Sequence, residues 1–134
     1  MQREIEWAAA AVFGLVGLSQ IYLPGAWAAY HQRLAARGEA GIRMYGMIVL
    51  SAGAAIAGLH NVWSGPPIVL TVTGWLLILE GGLCALAPAL GGAGFAAADA
   101  VVRSRAILAT GIYSVVVSGV LWVHLLWVGS PPAG

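Results

Sequence analysis

Residues 67–86 read P-I-V-L-T-V-T-G-W-L-L-I-L-E-G-G-L-C-A-L, and Glu80 is the only charged side chain among them. A helix needs roughly 20 mostly apolar residues to cross the hydrocarbon of a bilayer. In hydrocarbon the backbone has no water to bond, so its N–H and C=O groups must pair within the segment, and a single such segment has to be a helix. This run therefore decides the fold class. It leaves two questions: how many more such runs the chain holds, and why one of them carries an acid.

Composition agrees with a membrane setting throughout. Hydrophobic types make up 60% of the 134 residues and charged types 8%, with a mean hydropathy of +0.89. A soluble domain carries about 25% charged residues, far more than this surface could show to water. The formal net charge is +1, from six Arg, no Lys and five acids. That balance excludes a basic nucleic-acid surface. The single cysteine, Cys84, excludes an internal disulfide framework and a cysteine metal site within one chain.

The charges fall in groups around Arg3–Glu6, Arg33–Arg43 and Asp99–Arg105, with Glu80 alone. Between the groups lie four apolar runs, at residues 7–23, 44–62, 67–86 and 106–128. The expected fold is all-α, an integral membrane protein with four transmembrane helices. The N-terminal M-Q-R-E-I-E-W has more acid than base and no clear cleavage site, so it reads as the start of the first span and not as a signal peptide. Arg33, Arg37, Arg43, Arg103 and Arg105 flank one side and Arg3 the other. By the positive-inside rule the arginine-rich side is cytoplasmic and both termini lie outside.

An offset of 64 residues lays the second half on the first without a gap. Leu15 falls on Leu79, Gly17 on Gly81, Pro24 on Pro88, His60 on His124 and Trp63 on Trp127. The expectation is two tandem helical hairpins, residues 1–64 and 65–134, as a parallel repeat about an axis along the membrane normal. Each half holds a cytoplasmic segment between its spans. In the first, Trp27, Tyr30 and Leu34 recur at helical spacing with Arg33 and Arg37 on other faces, which suits a helix lying in the interface. Phe95, Asp99, Val102 and Arg103 repeat this weakly. Trp27, Tyr30, Trp63 and Trp127 are expected as interfacial anchors, and the five arginines as contacts to headgroups or cytoplasm. Gly14, Gly53, Ala57, Gly111 and Ser118 mark faces small enough for close helix packing.

The pattern L-E-G-x6-P, followed by an Arg and a Gly near the next span, resembles the YjeT-type family of very short bacterial inner-membrane proteins. Leu79, Glu80, Gly81 and Pro88 carry it in the second half. Leu15, Gly17, Tyr22, Pro24, Ala26, Trp27, Arg43 and Gly46 resemble it in the first, with Val16 in place of the acid. The resemblance implies two fused two-span units in a bacterial inner membrane. It implies no activity.

Three sites stand out chemically. An intramembrane acid costs on the order of 3 kcal/mol to insert, so Glu80 is a functional candidate by default. It is polar glue between helices, a proton or cation site, or a contact to a partner protein, and Ser19, Tyr22, Tyr45, Arg43 or Arg105 are within reach as partners. His60 and His124 fall at one depth near the outer surface. They are either interfacial rings or ligands of haem, a chlorin pigment or a metal. His31 reads as solvated or interfacial. No phosphate loop, zinc motif or nucleophile triad occurs, so no enzyme activity is expected.

The leading expectation is an accessory or structural subunit of a larger membrane complex, of energy-converting or membrane-oxygenase type, packed against partner helices and lipid. The alternatives are a small oligomeric proton- or cation-coupled transporter using Glu80, and a haem- or pigment-binding protein using His60 and His124.

Overall fold

A computed structural model describes residues 1–93 and 100–129. Helix is the only regular secondary structure among them. The elements are α1 (Gln2–Tyr22), α2 (Pro24–Ala36), α3 (Glu39–Leu59), α4 (Ile68–Leu86), the single turn α5 (Pro88–Gly91) and α6 (Ala100–Gly129). Four of them, α1, α3, α4 and α6, are long and apolar enough to cross a membrane.

The helix ends follow from local chemistry. A residue before proline is pushed out of the helical region, and Leu23 and Ala87 sit at φ −128° with ψ 48° and 66°. Each still donates its N–H back into the finished helix, Leu23 to Ser19 O and Ala87 to Leu83 O, both at 2.8 Å. The proline then opens the next helix, where its missing N–H has no partner to lose. The same corner thus recurs at the offset of 64. Gly38, at φ +65°, turns the chain from α2 into α3, and Gly65, at φ +69°, turns it between α3 and α4.

α6 begins earlier than the hydropathy suggests, so Val102, Arg103 and Arg105 ride on its first turns and not on a separate interfacial helix. At 1.5 Å per residue it is roughly 45 Å long, more than the roughly 30 Å of hydrocarbon. Its arginines can therefore stand clear of the apolar layer. Phe95 and Asp99 lie outside the described residues.

Two helix pairs dominate the packing, α3 with α4 and α1 with α6, and both run between the halves. Glycine makes each possible. A Cβ on Gly81 would lie 2.7 Å from Gly46 O, and one on Gly46 2.8 Å from Gly81 O. In the other pair a Cβ on Gly17 would lie 2.8 Å from Gly111 O. Ser118 Oγ donates to Ala10 O at 2.7 Å. Ala9, Ala10, Leu70, Val117 and Leu121 form a buried core that joins the pairs near the end of the molecule holding the α3–α4 turn. Tyr113 and Thr73 hydroxyls, 2.8 Å apart, link α6 to α4.

α1 and α3 barely touch. α4 and α6 also meet little, and a cleft runs between the two pairs. α2 folds across one end of it, held by Trp27 Nε1–H donating to Ser19 Oγ at 3.1 Å and by contact with α3 and α6.

Candidate functional site: a cleft between two helix pairs

The cleft encloses about 980 Å³. Its body is apolar. Val12 and Phe13 of α1, Ile48 and Ala52 of α3, Leu77 of α4 and Ile107 of α6 line it. Polar groups gather at the α2 end, where Gln20, Trp27, Tyr30, His31, Tyr45, Glu80 and Arg103 all reach the cavity.

These groups are tied in sequence. Tyr45 donates its hydroxyl to Glu80 Oε1 at 2.7 Å. The His31 ring stands edge-on to Tyr45 with centroids 5.7 Å apart, and it also abuts Tyr30 at 5.8 Å and Trp27 at 6.4 Å. Trp27 and Tyr30 meet edge to face at 6.2 Å. Gln20 is only 7% exposed and its Oε1 receives no hydrogen bond among the described residues. Burial pushes the His31 imidazole below its ordinary range; Glu80 opposes that shift and Arg103 adds to it. His31 is thus a half-buried wall of the cleft, where the sequence reading expected a solvated or interfacial residue. The reason is the fold of α2, which turns this face inward.

Glu80 lies open to the cavity. Of its expected partners, Tyr45 is the one found. Ser19 donates to Val16 O at 2.7 Å and accepts from Trp27. Tyr22 is 79% exposed. Arg43 Nη1–H donates to Ala85 O, closing the C-terminus of α4, and pairs with Glu39 at 3.5 Å. Arg105 lies in a shallow groove with Pro24 and Val101. No described Arg or His comes within ion-pair distance of Glu80.

A second polar cluster lies at the opposite end. His60 is fully buried, and its Nε2 is 3.0 Å from Glu6 Oε1. Its Nδ1 is 3.3 Å from Thr71 Oγ1. Glu6, 4% exposed, also stands 3.8 Å from His124 Nε2 through Oε2. A buried acid on α1 brings the two histidines to one cluster. Both ring nitrogens of His60 face partners, which leaves none for a haem iron or a metal. Among the described residues no three His, Cys, Asp or Glu side chains are arranged to hold a metal ion. Glu6 was missed as a site residue because it stands beside Arg3 and Glu4 and reads as part of a solvated start. The available signal was positional, since the first turn of span one and both histidines fall at the same predicted depth.

The remaining expected residues fall as follows. Gly14, Gly53 and Gly111 lie within the two pair interfaces, Ala57 meets Gly74 there, and Ser118 bonds Ala10. Trp27 and Tyr30 face the cleft, whereas Trp63, 59% exposed and bonded to Asn61, and Trp127, 83% exposed, point outward. Arg33, Arg37, Arg43 and Arg105 are exposed; Arg103 is half-buried at the cleft mouth. Cys84 is buried and free.

Fold and site together define a multi-pass helical membrane protein with an intramembrane cleft, apolar along its length and polar at one end. Compared with known proteins, the chain matches no family model, no curated protein and no solved structure.

Proposed function

We propose that this protein is a small membrane binding protein or carrier for a lipophilic molecule that bears a polar head. The observation that supports it is the amphipathic cleft. Its volume of about 980 Å³ falls in the range of small-molecule sites, roughly 300–1,000 Å³. α1 and α3 meet little, and this reading has the lipophile enter between them from the bilayer. Lipid tails are as apolar as the cleft walls, so an apolar body gains little by moving from bilayer to cleft. Selection must come from the polar end, at Glu80, Tyr45, His31 and Gln20. This reading is of the same kind as a transporter using Glu80, with a lipophile as cargo.

The setting we propose is a bacterial inner membrane. The arginine distribution favours the α2 end as the cytoplasmic one, with both termini outside. The family resemblance of the L-E-G-x6-P pattern favours the same compartment.

A second reading, the subunit of a larger membrane complex, is favoured by Gly58, Gly82 and Gly119, which face outward with nothing against them. Such notches let another helix approach closely. Native mass spectrometry of protein released from its own membranes separates the two. A carrier retains a small molecule of lipid-like mass. A subunit retains other polypeptides at a fixed ratio.

A further inference from the structure

The polar end of the cleft has a definite chemical bias. Glu80 presents its carboxyl to the cavity with a single hydrogen bond among the described residues, from Tyr45 at 2.7 Å. No described cation stands within ion-pair distance of it. Four aromatic rings, Trp27, Tyr30, His31 and Tyr45, meet edge to face or tilted at 5.7–6.4 Å around the same end. Aromatic faces attract cations, most strongly where water is excluded. Gln20 adds a buried carbonyl oxygen that receives no hydrogen bond among the described residues, an acceptor in need of a donor. A carboxylate, π faces and an orphan acceptor favour a head that is positive and carries N–H.

We propose that the cleft takes lipophilic amines in their protonated form, with the ammonium group at Glu80 and the apolar body along Val12, Phe13, Ile48 and Ala52. This rests on the cleft reading given above and names its ligand class. Among the described residues, the other charged or titratable groups facing this end are Arg103 of α6 and His31 of α2, beside the tyrosines already named. Burial pushes the His31 imidazole toward its neutral form, against the opposing pull of Glu80. A bare metal cation is disfavoured, because a hard ion needs about six oxygen ligands, which this apolar cavity lacks. A fatty acid would set its carboxylate against that of Glu80.

The test uses decylammonium, decanol and decanoate, which share a chain and differ in head charge. Each is titrated by calorimetry into the full chain in phosphatidylcholine nanodiscs, with empty nanodiscs subtracted. The expected result is saturable binding of decylammonium, roughly tenfold to a hundredfold tighter than decanol, the range of a charge-assisted hydrogen bond. Glu80→Gln should bring the amine down to the level of the alcohol, and Glu80→Asp should keep the preference. Gln still accepts from Tyr45, so the helices stay joined, and a thermal unfolding curve for each variant verifies that. If all three probes bind alike and Glu80→Gln changes nothing, the cleft stands as a lipophile site and the amine assignment falls. Tightest binding of decanoate, lost in Arg103→Gln, would also overturn it. If no probe saturates above empty nanodiscs, the cleft reading itself fails and the inference with it.

Discussion

Glu6 and Glu80 are both acids within membrane-spanning helices, yet their surroundings differ. Glu6 is shut between His60 and His124, whereas Glu80 looks into a cavity. A buried charge that loses its partner is costly. Glu6→Ala, which leaves His60 buried without its acceptor, should destabilise the protein by about 3 kcal/mol in denaturant titrations in detergent. Glu80→Gln should cost far less, since its side chain is not enclosed. His31 sets a pH dependence. Burial places its folded value below the 6.5 of a free imidazole, so the unfolded chain binds the proton more readily. Stability then rises with pH through the window below 6.5 and is lost as pH falls into it. Thermal unfolding between pH 7 and pH 5 should show a loss that shrinks in His31→Gln. Glu80 was legible from the sequence because a carboxylate in an apolar run is conspicuous. Glu6 and His31 were not, because each stands among charged or aromatic neighbours that look solvated until the fold turns them inward.

The elements were legible because bilayer thickness and hydropathy fix their length, and the prolines at positions 24 and 88 fix where helices must break. The four expected runs coincide with the four spanning helices to within a few residues at most ends. The exceptions are the starts of α1, α3 and α6, each five or six residues early, where charged residues mask a helix that had already begun. Pairing was only partly legible. Small residues mark contact faces but do not say which helix meets which, and the close pairs run between the halves. That arrangement fits an offset of 64, under which α1 with α6 corresponds to α4 with α3. The pair interfaces can be tested individually. Gly81→Leu drives a side chain into Gly46 O and the Leu50 backbone, and should cost on the order of 3 kcal/mol through overpacking. Gly82→Leu, next to it in sequence but facing open space, should change stability by no more than about 0.5 kcal/mol. Equal effects in the two variants would mean that α3 and α4 do not meet along this line.

At the scale of the whole molecule, the cleft is a consequence of unequal packing. Two glycine-lined pairs close tightly, a shared core and the Glu6 cluster hold them together at the turn end, and nothing draws α1 against α3. Hydropathy carries no trace of such a gap, since a residue facing a cleft and one facing lipid are equally apolar. Ala52 and Met47 on α3 illustrate this: both are exposed, and only Ala52 looks into the cavity. The measurement that tests the central claim most directly is native mass spectrometry of the protein and of Ala52→Trp, each released in mild detergent from its own membranes. The predicted result is a chain of 13.7 kDa, or a small multiple of it, carrying one lipophilic molecule per cleft, with the occupancy reduced when the tryptophan narrows the cavity. An adduct whose occupancy is unchanged in Ala52→Trp, or a chain that arrives without one and bound to other polypeptides at fixed ratio, would contradict the account.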